Sequence, residues 1–303
     1  MKLKHIISAA GIALMMTSCQ AVSDWIERQD TGDISFDAIW QDDNYVEGFL
    51  NNAMIYIPVK GFLYSGLYEP LFCLTDDGWS SDDGSGLLAQ IIYQGIYSAE
   101  SHPLSGDRYA DLLERIRNIN IFLEHIVLPE TAVKNESSRN RMIADAHTLR
   151  AFYMTELFKW YGPLPIMDKP TDLNTNYANV RRATPYEYAK FICNDCDIAL
   201  TYSDFPWRST NASDAGRMHK GVAMALKSTV MLMAASPLFN RGENHWEEAY
   251  EVTKAAVDSL TSHGYALFTK CTSTKIYGNG PASAWRQYNA ASITLYSNNP
   301  TDK

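Results

Sequence analysis

The chain has 303 residues, enough for one large core or two modest ones. Its 46% hydrophobic and 20% charged residues are an ordinary globular composition. A net charge of −9 argues against a nucleic-acid partner, because phosphate binding needs a surplus of Lys and Arg on one face.

The N-terminus reads as an export signal. Lys2 and Lys4 form a basic start, and Ile6 to Met16 is an apolar run too short to span a bilayer. Met16-Thr17-Ser18-Cys19 then resembles a bacterial lipobox, with small residues directly before a cysteine. This predicts a lipoprotein signal peptide over 1–18 and a lipidated tether over 19–40, anchored at Cys19. A plain secretory peptide that happens to contain a cysteine is the alternative. No later stretch approaches ~20 uninterrupted apolar residues, so the lipid is the only expected membrane attachment.

From 41 to 268, apolar residues recur at helical spacing and no long stretch alternates with period two. The first expected helix, 42–56, carries Tyr45, Phe49, Ala53 and Tyr56 on one stripe. An Asp-, Gly- and Ser-rich loop follows, Asp76 to Asp83 with Trp79 inside it, and then an apolar helix over 87–97. The helix at 107–128 keeps Tyr109, Leu112, Leu113, Ile116, Ile119, Leu123 and Ile126 on one face, with Arg115 off it. The helix at 139–161 aligns Met142, Ala146, Leu149, Tyr153, Leu157 and Trp160, and Gly162-Pro163 stops it. Thr184-Pro185-Tyr186-Glu187 is a capping box opening a helix to 202. A helix over 214–236 is rich in small residues. The last begins near Asn244, turns Trp246, Ala249, Tyr250, Val257 and Leu260 inward, and closes at Gly264.

Helices of these lengths joined by short polar links predict an all-α fold, stacked helical hairpins in a tetratricopeptide-like array with long irregular insertions. Strict 34-residue spacing is absent, so the repeats are irregular. Residues 269–303 are polar, without a helical pattern, and read as an irregular C-terminal remnant. Cys193-Asn-Asp-Cys196 has redox or zinc spacing, yet it lies inside a helical pattern with no second pair and no His pair nearby. Two buried or half-buried helix cysteines is the favoured reading.

Three segments resemble the SusD/RagB family of outer-membrane lipoproteins. Ile116-Arg117-Asn118-Ile119-Asn120-Ile121-Phe122-Leu123-Glu124 is similar to its "I-R-x-x-N-x-F-L-E" helix. Ala144-Asp145-Ala146-His147-Thr148-Leu149-Arg150-Ala151-Phe152-Tyr153, followed by Trp160-Tyr161-Gly162-Pro163-Leu164-Pro165, resembles its "A-E-A-x-x-L-R-A-x-Y-Y…Y-G-x-x-P" motif, with Asp145 in place of the usual Glu. Gly216-Arg217-Met218-His219-Lys220 through Lys227 is similar to its "G-R-x-x-K-x-A-A-x-A-L-K" helix. The resemblance covers about 40 to 268. It implies a helical scaffold on the outer membrane, facing the cell surface, and a lid-like role over a SusC-like TonB-dependent transporter that imports glycans. The family usually runs well past 303 residues, so the chain resembles a shortened member.

The motif residues Arg150, Arg217 and Lys227 read as structural, since a partly buried Arg needs a carboxylate or carbonyl. Sugars are recognised by flat aromatic faces with polar groups beside them, so loop tryptophans are the ligand candidates: Trp79 first, then Trp207, with Trp285 in the tail. A loop Trp folded back over the core is the alternative for each. No cofactor is expected. The Asp76–Asp83 loop is oxygen-rich enough to suit Ca²⁺ but lacks EF-hand spacing, and a solvated acidic loop is favoured. No nucleophile elbow, zincin motif, P-loop or dinucleotide fingerprint occurs, so an enzyme is not expected.

The leading expectation is a glycan-binding lipoprotein that captures oligosaccharide and delivers it to the transporter. The alternatives are a peptide- or protein-binding helical-repeat scaffold on the outer membrane, a non-functional fragment of a SusD-like protein, and a lipid-anchored glycosidase.

Overall fold

The computed structural model describes residues 35–55, 57, 76, 94–96, 98, 107–171, 176–209, 214 and 216–266. Over these it is helical, with no strand. The chain divides after Ile39. The first unit contributes one helical turn, Phe36–Ile39. The second carries α1 (Asp43–Met54), α2 (Asp107–His125), α3 (Glu136–Tyr161), α4 (Pro185–Thr201), α5 (Lys220–Ala235) and α6 (Trp246–Ser262). Each helix packs on its sequence neighbour, α1 and α5 also touch α3, and the result is a stack of helical hairpins.

Local chemistry sets the helix starts. Asp42 caps α1 by accepting from the amides of Asn44 and Tyr45 at 2.8 and 3.2 Å. Asn135 caps α3 through Ser138 at 2.9 Å, so the helix begins three residues before the expected start at Arg139. The capping box of α4 forms, with Glu187 N donating to Thr184 Oγ1 at 3.1 Å and Thr184 N to Glu187 Oε2 at 2.8 Å. The helix expected from Asp214 starts at Lys220 instead. Gly216 takes φ 88, which breaks any helix running through it, and His219 becomes the cap.

The core runs along α3, whose Leu149, Tyr153, Met154, Leu157 and Phe158 are fully buried. Around it lie Ile116, Ile119 and Phe122 from α2, Tyr188 and Ile192 from α4, and Val230 and Met231 from α5. Trp40 closes the α1 end, stacked on His125 at 4.5 Å, while its carbonyl accepts from Ala132 N at 2.8 Å.

Three inner faces differ from expectation. In α1 the buried stripe is Val46, Leu50 and Ala53, one step from the expected Tyr45 and Phe49, because the helix packs against both α2 and α3. In α2, Arg115 is buried beside Glu114. In α6 only Ala249 and Ala256 are buried, while Trp246, Tyr250 and Val257 are exposed. Alanines let α6 lie close on the small-residue face of α5, and the bulky residues point away. The expected helix over 87–97 lies mostly outside the described residues. Gln94 and Gly95, which are described, form a turn, with Gly95 at φ 63.

Cys193 and Cys196 are buried free thiols on α4. Burial pushes the Cys193 thiol up to about 12 and that of Cys196 well above its ordinary value, so neither is a ready thiolate.

Gly221 opens α5 beneath the ring of Tyr265, where a Cβ would sit 2.8 Å from Tyr265 Cζ. Tyr265 in turn donates to the Trp207 carbonyl at 2.6 Å. Gly221→Ala is expected to displace that ring and lower stability by about 1–3 kcal/mol, read from chemical denaturation.

Candidate functional site

Two charge networks fix the helices before any ligand chemistry arises. In the first, Arg150 of α3 grips Asp195 of α4 through two bonds, Nε at 2.7 Å and Nη2 at 2.6 Å. His147 Nδ1 lies 2.9 Å from the same carboxylate. Arg150 Nη1 also donates to Asn120 Oδ1 of α2 at 2.7 Å. Asn120 Nδ2 then donates to the carbonyls of Met167 and Lys169 at 3.1 and 3.0 Å. Burial works against the Asp195 charge, but the bonds from Arg150 and His147 outweigh it and hold the carboxyl below its ordinary range.

The second network joins α1, α3 and the segment before α5. Arg217 pairs with Glu47 and, at 3.4 Å, with Asp145 Oδ2. Asp145 is fully buried and its Oδ1 has no hydrogen-bond partner among the described residues. Burial raises its carboxyl from 3.8 to about 7, against the opposing pull of Arg217 and Arg141. The folded chain therefore holds a proton that the unfolded chain has released between those values. This group's stabilisation is complete below the unfolded value and is lost as pH rises toward 7. Asp145→Asn is expected to shrink the drop in melting temperature between about pH 5 and about pH 8, compared with the parent chain, in paired thermal melts.

The concave site lies where these helices end. Tyr109 comes from the first turn of α2 and Tyr161 from the last residue of α3. Gly162, at φ 71, turns the chain out of α3, and Pro163 and Pro165 fix its direction. Leu164, buried, bonds through its carbonyl to Ala183 N at 3.2 Å, which brings the residues just before α4 alongside. Tyr109, Tyr161, Leu164, Pro165 and Arg182 line a cavity of about 420 Å³. The two tyrosine rings meet edge to face at 5.0 Å and 72°.

Adjacent arginines behave differently here. Arg181 is held by both oxygens of Glu187, at 2.9 and 2.8 Å. Arg182 donates instead to the carbonyls of Pro163 and Tyr161, both at 2.8 Å. No carboxylate pairs with Arg182 among the described residues. The buried hydroxyl of Tyr188 has no hydrogen-bond partner among the described residues; besides burial, its electrostatic neighbours are Tyr109 and Arg182.

Of the tryptophans expected to meet ligand, Trp79 and Trp285 lie outside the described residues, as does Cys19. So does the acidic loop apart from Asp76, which is exposed. Trp207 is half-buried. His263 stacks on it at 3.5 Å and Lys220 Nζ sits 5.9 Å from its ring centre. It is not part of the Tyr109–Tyr161 cavity. Sequence reasoning assigned Tyr109 to the core and left Arg182 unmentioned. The available signal was Tyr161 beside a Gly-Pro exit, with an Arg pair directly before a capping box.

The array that carries this cavity is an all-α, tetratricopeptide-like scaffold of stacked helical hairpins. Residues 80–212 match the SusD-like family model described as "Starch-binding associating with outer membrane". Among solved structures, a SusD-like protein from Bacteroides fragilis superposes with TM-score 0.58 and 24% identity, covering 80% of this chain and 42% of its own. A laminarin-binding SusD-like protein gives 0.54 and 18%, covering 73% and 44%. Surface glycan-binding protein A from Bacteroides fluxus gives 0.54 and 18%, covering 75% and 45%. The chain thus spans less than half the length of these structures. No curated protein matches the sequence. No helix among the described residues is long and apolar enough to cross a membrane.

Proposed function

We propose that this chain is a cell-surface glycan-binding lipoprotein of the SusD/RagB kind, held to the outer membrane by lipid on Cys19. It captures oligosaccharide and passes it to a SusC-like TonB-dependent transporter, and it performs no chemistry on the sugar. The observation that carries the reading is a preformed aromatic cavity, Tyr109 against Tyr161, on a scaffold whose family model is starch-binding. Two rings at right angles offer one face and one edge to the C–H surface of a pyranose, and Arg182 and nearby carbonyls supply polar contacts for its hydroxyls. Trp79, Trp207 and Trp285 are proposed as further contacts.

Tyr161→Ala and Tyr109→Ala are each expected to weaken oligosaccharide binding about tenfold, the loss of about 1.4 kcal/mol of ring contact. Calorimetric titration against a panel of oligosaccharides checks this, and unchanged affinity in a folded variant removes the cavity from the site. For the anchor, labelling cells with an alkyne fatty acid is expected to mark the parent chain and to miss Cys19→Ala; equal labelling of both rejects the lipobox.

A further inference from the structure

We infer that the Tyr109–Tyr161 cavity selects an anionic sugar, with the carboxylate or sulfate ester of one residue seated on the Arg182 guanidinium. This rests on the glycan-binding reading above and names the substrate class within it.

Arginine carries five N–H donors in a planar fork. At Arg182 the Nε bond to the Pro163 carbonyl and one Nη2 bond to the Tyr161 carbonyl fix the plane of that fork. The remaining three donors, on Nη1 and Nη2, are uncommitted among the described residues. Two backbone carbonyls orient a guanidinium without neutralising it, so the full positive charge stays beside the cavity. The neighbouring Arg181 shows the alternative: its charge is closed off by both oxygens of Glu187. A held fork with free donors matches two oxygens of a carboxylate or sulfate, and such charge-assisted bonds are about twice as strong as neutral ones.

The rest of the lining fits the same ligand. The two tyrosine rings take the apolar face of a pyranose, and Leu164 and Pro165 present no competing charge. Among the described residues no carboxylate lines the cavity, although the chain as a whole is acidic, at −9. An acidic oligosaccharide therefore meets general repulsion except where a cation such as Arg182 stands clear of its own counter-ion.

Calorimetric titration of the full chain with three tetrasaccharides tests this: an oligogalacturonate, a sulfated neutral oligomer and an uncharged glucan. The expected result is at least about tenfold tighter binding of one or both anionic oligomers than of the glucan, weakening as salt rises. Preference for the galacturonate alone identifies carboxylate, and for the sulfated oligomer alone, sulfate ester. Arg182→Gln is expected to abolish the preference, and Arg182→Lys, which keeps the charge but not the fork, to retain part of it. Thermal melts of both variants establish that the Pro163 turn has stayed folded. Tighter or equal binding of the glucan, or a preference that survives in a folded Arg182→Gln, overturns the inference and leaves glycan binding standing. No binding of any oligosaccharide, here and across the wider panel, overturns both.

Discussion

The bond between Arg150 and Asp195 is the constraint from which the rest of the array follows. Both groups are almost wholly removed from water, at 5% and 0% exposure. Desolvating two such charges costs several kcal/mol per ion, and only near-ideal geometry offsets it. Here the carboxylate receives two short bonds from one guanidinium and a third contact from His147. Sliding α3 along α4 by one turn would move Arg150 about 5.4 Å and leave both charges buried without partners. A purely apolar interface would tolerate such a slip more readily, so the pair sets the register of the two helices.

The same network reaches the cavity through Asn120 and through a longer bond from Arg150 Nη1 to the Asp168 carbonyl at 3.4 Å. Asn120 accepts from Arg150 on one side and donates to the carbonyls of Met167 and Lys169 on the other. Those carbonyls belong to the strap leaving α3, two and four residues beyond Pro165. The strap therefore has a fixed end at Gly162 and a second fixed end at Lys169, and the lining between them is held at both sides. Arg182 then clamps the strap's start from the opposite direction, through Tyr161 and Pro163. Preformed walls of this kind reduce the ordering a ligand must impose on binding.

Most of the scaffold was legible in the sequence because it depends on period and punctuation. The 3.6-residue spacing marks α2, α3 and α4, and the capping box of α4 appears where Thr184 and Glu187 predict it. The errors share a cause. Periodicity finds an apolar stripe but not which neighbours cover it, so Trp246 and Tyr250 were assigned inward although α6 buries only two alanines. Likewise Arg115 was placed outside on its charge, yet α2 is covered on more than one side. The cavity was less legible still. Its residues sit at 109, 161, 164, 165 and 182 and meet only because α2 and α3 form a hairpin whose exit strap returns to the start of α4. A composition-based search for exposed tryptophans has no means of finding a pair of tyrosines at two helix ends.

The positions of those residues also separate the packing of the helices from the lining of the cavity. Arg150, Asp145, Asp195 and Arg217 belong to the motif helices or to their partners, and they are committed to one another. Tyr109 lies in a first helical turn and is partly exposed, and Arg182 lies outside any helix. Neither fills the core or pairs a buried charge. Substitution at Tyr109 therefore changes the cavity wall while the helical register stays as Arg150 and Asp195 set it. Arg182 is the exception that links the two roles, because it both clamps the strap and carries the cavity's charge. A scaffold built this way can keep its packing while the chemistry of its mouth is altered one residue at a time.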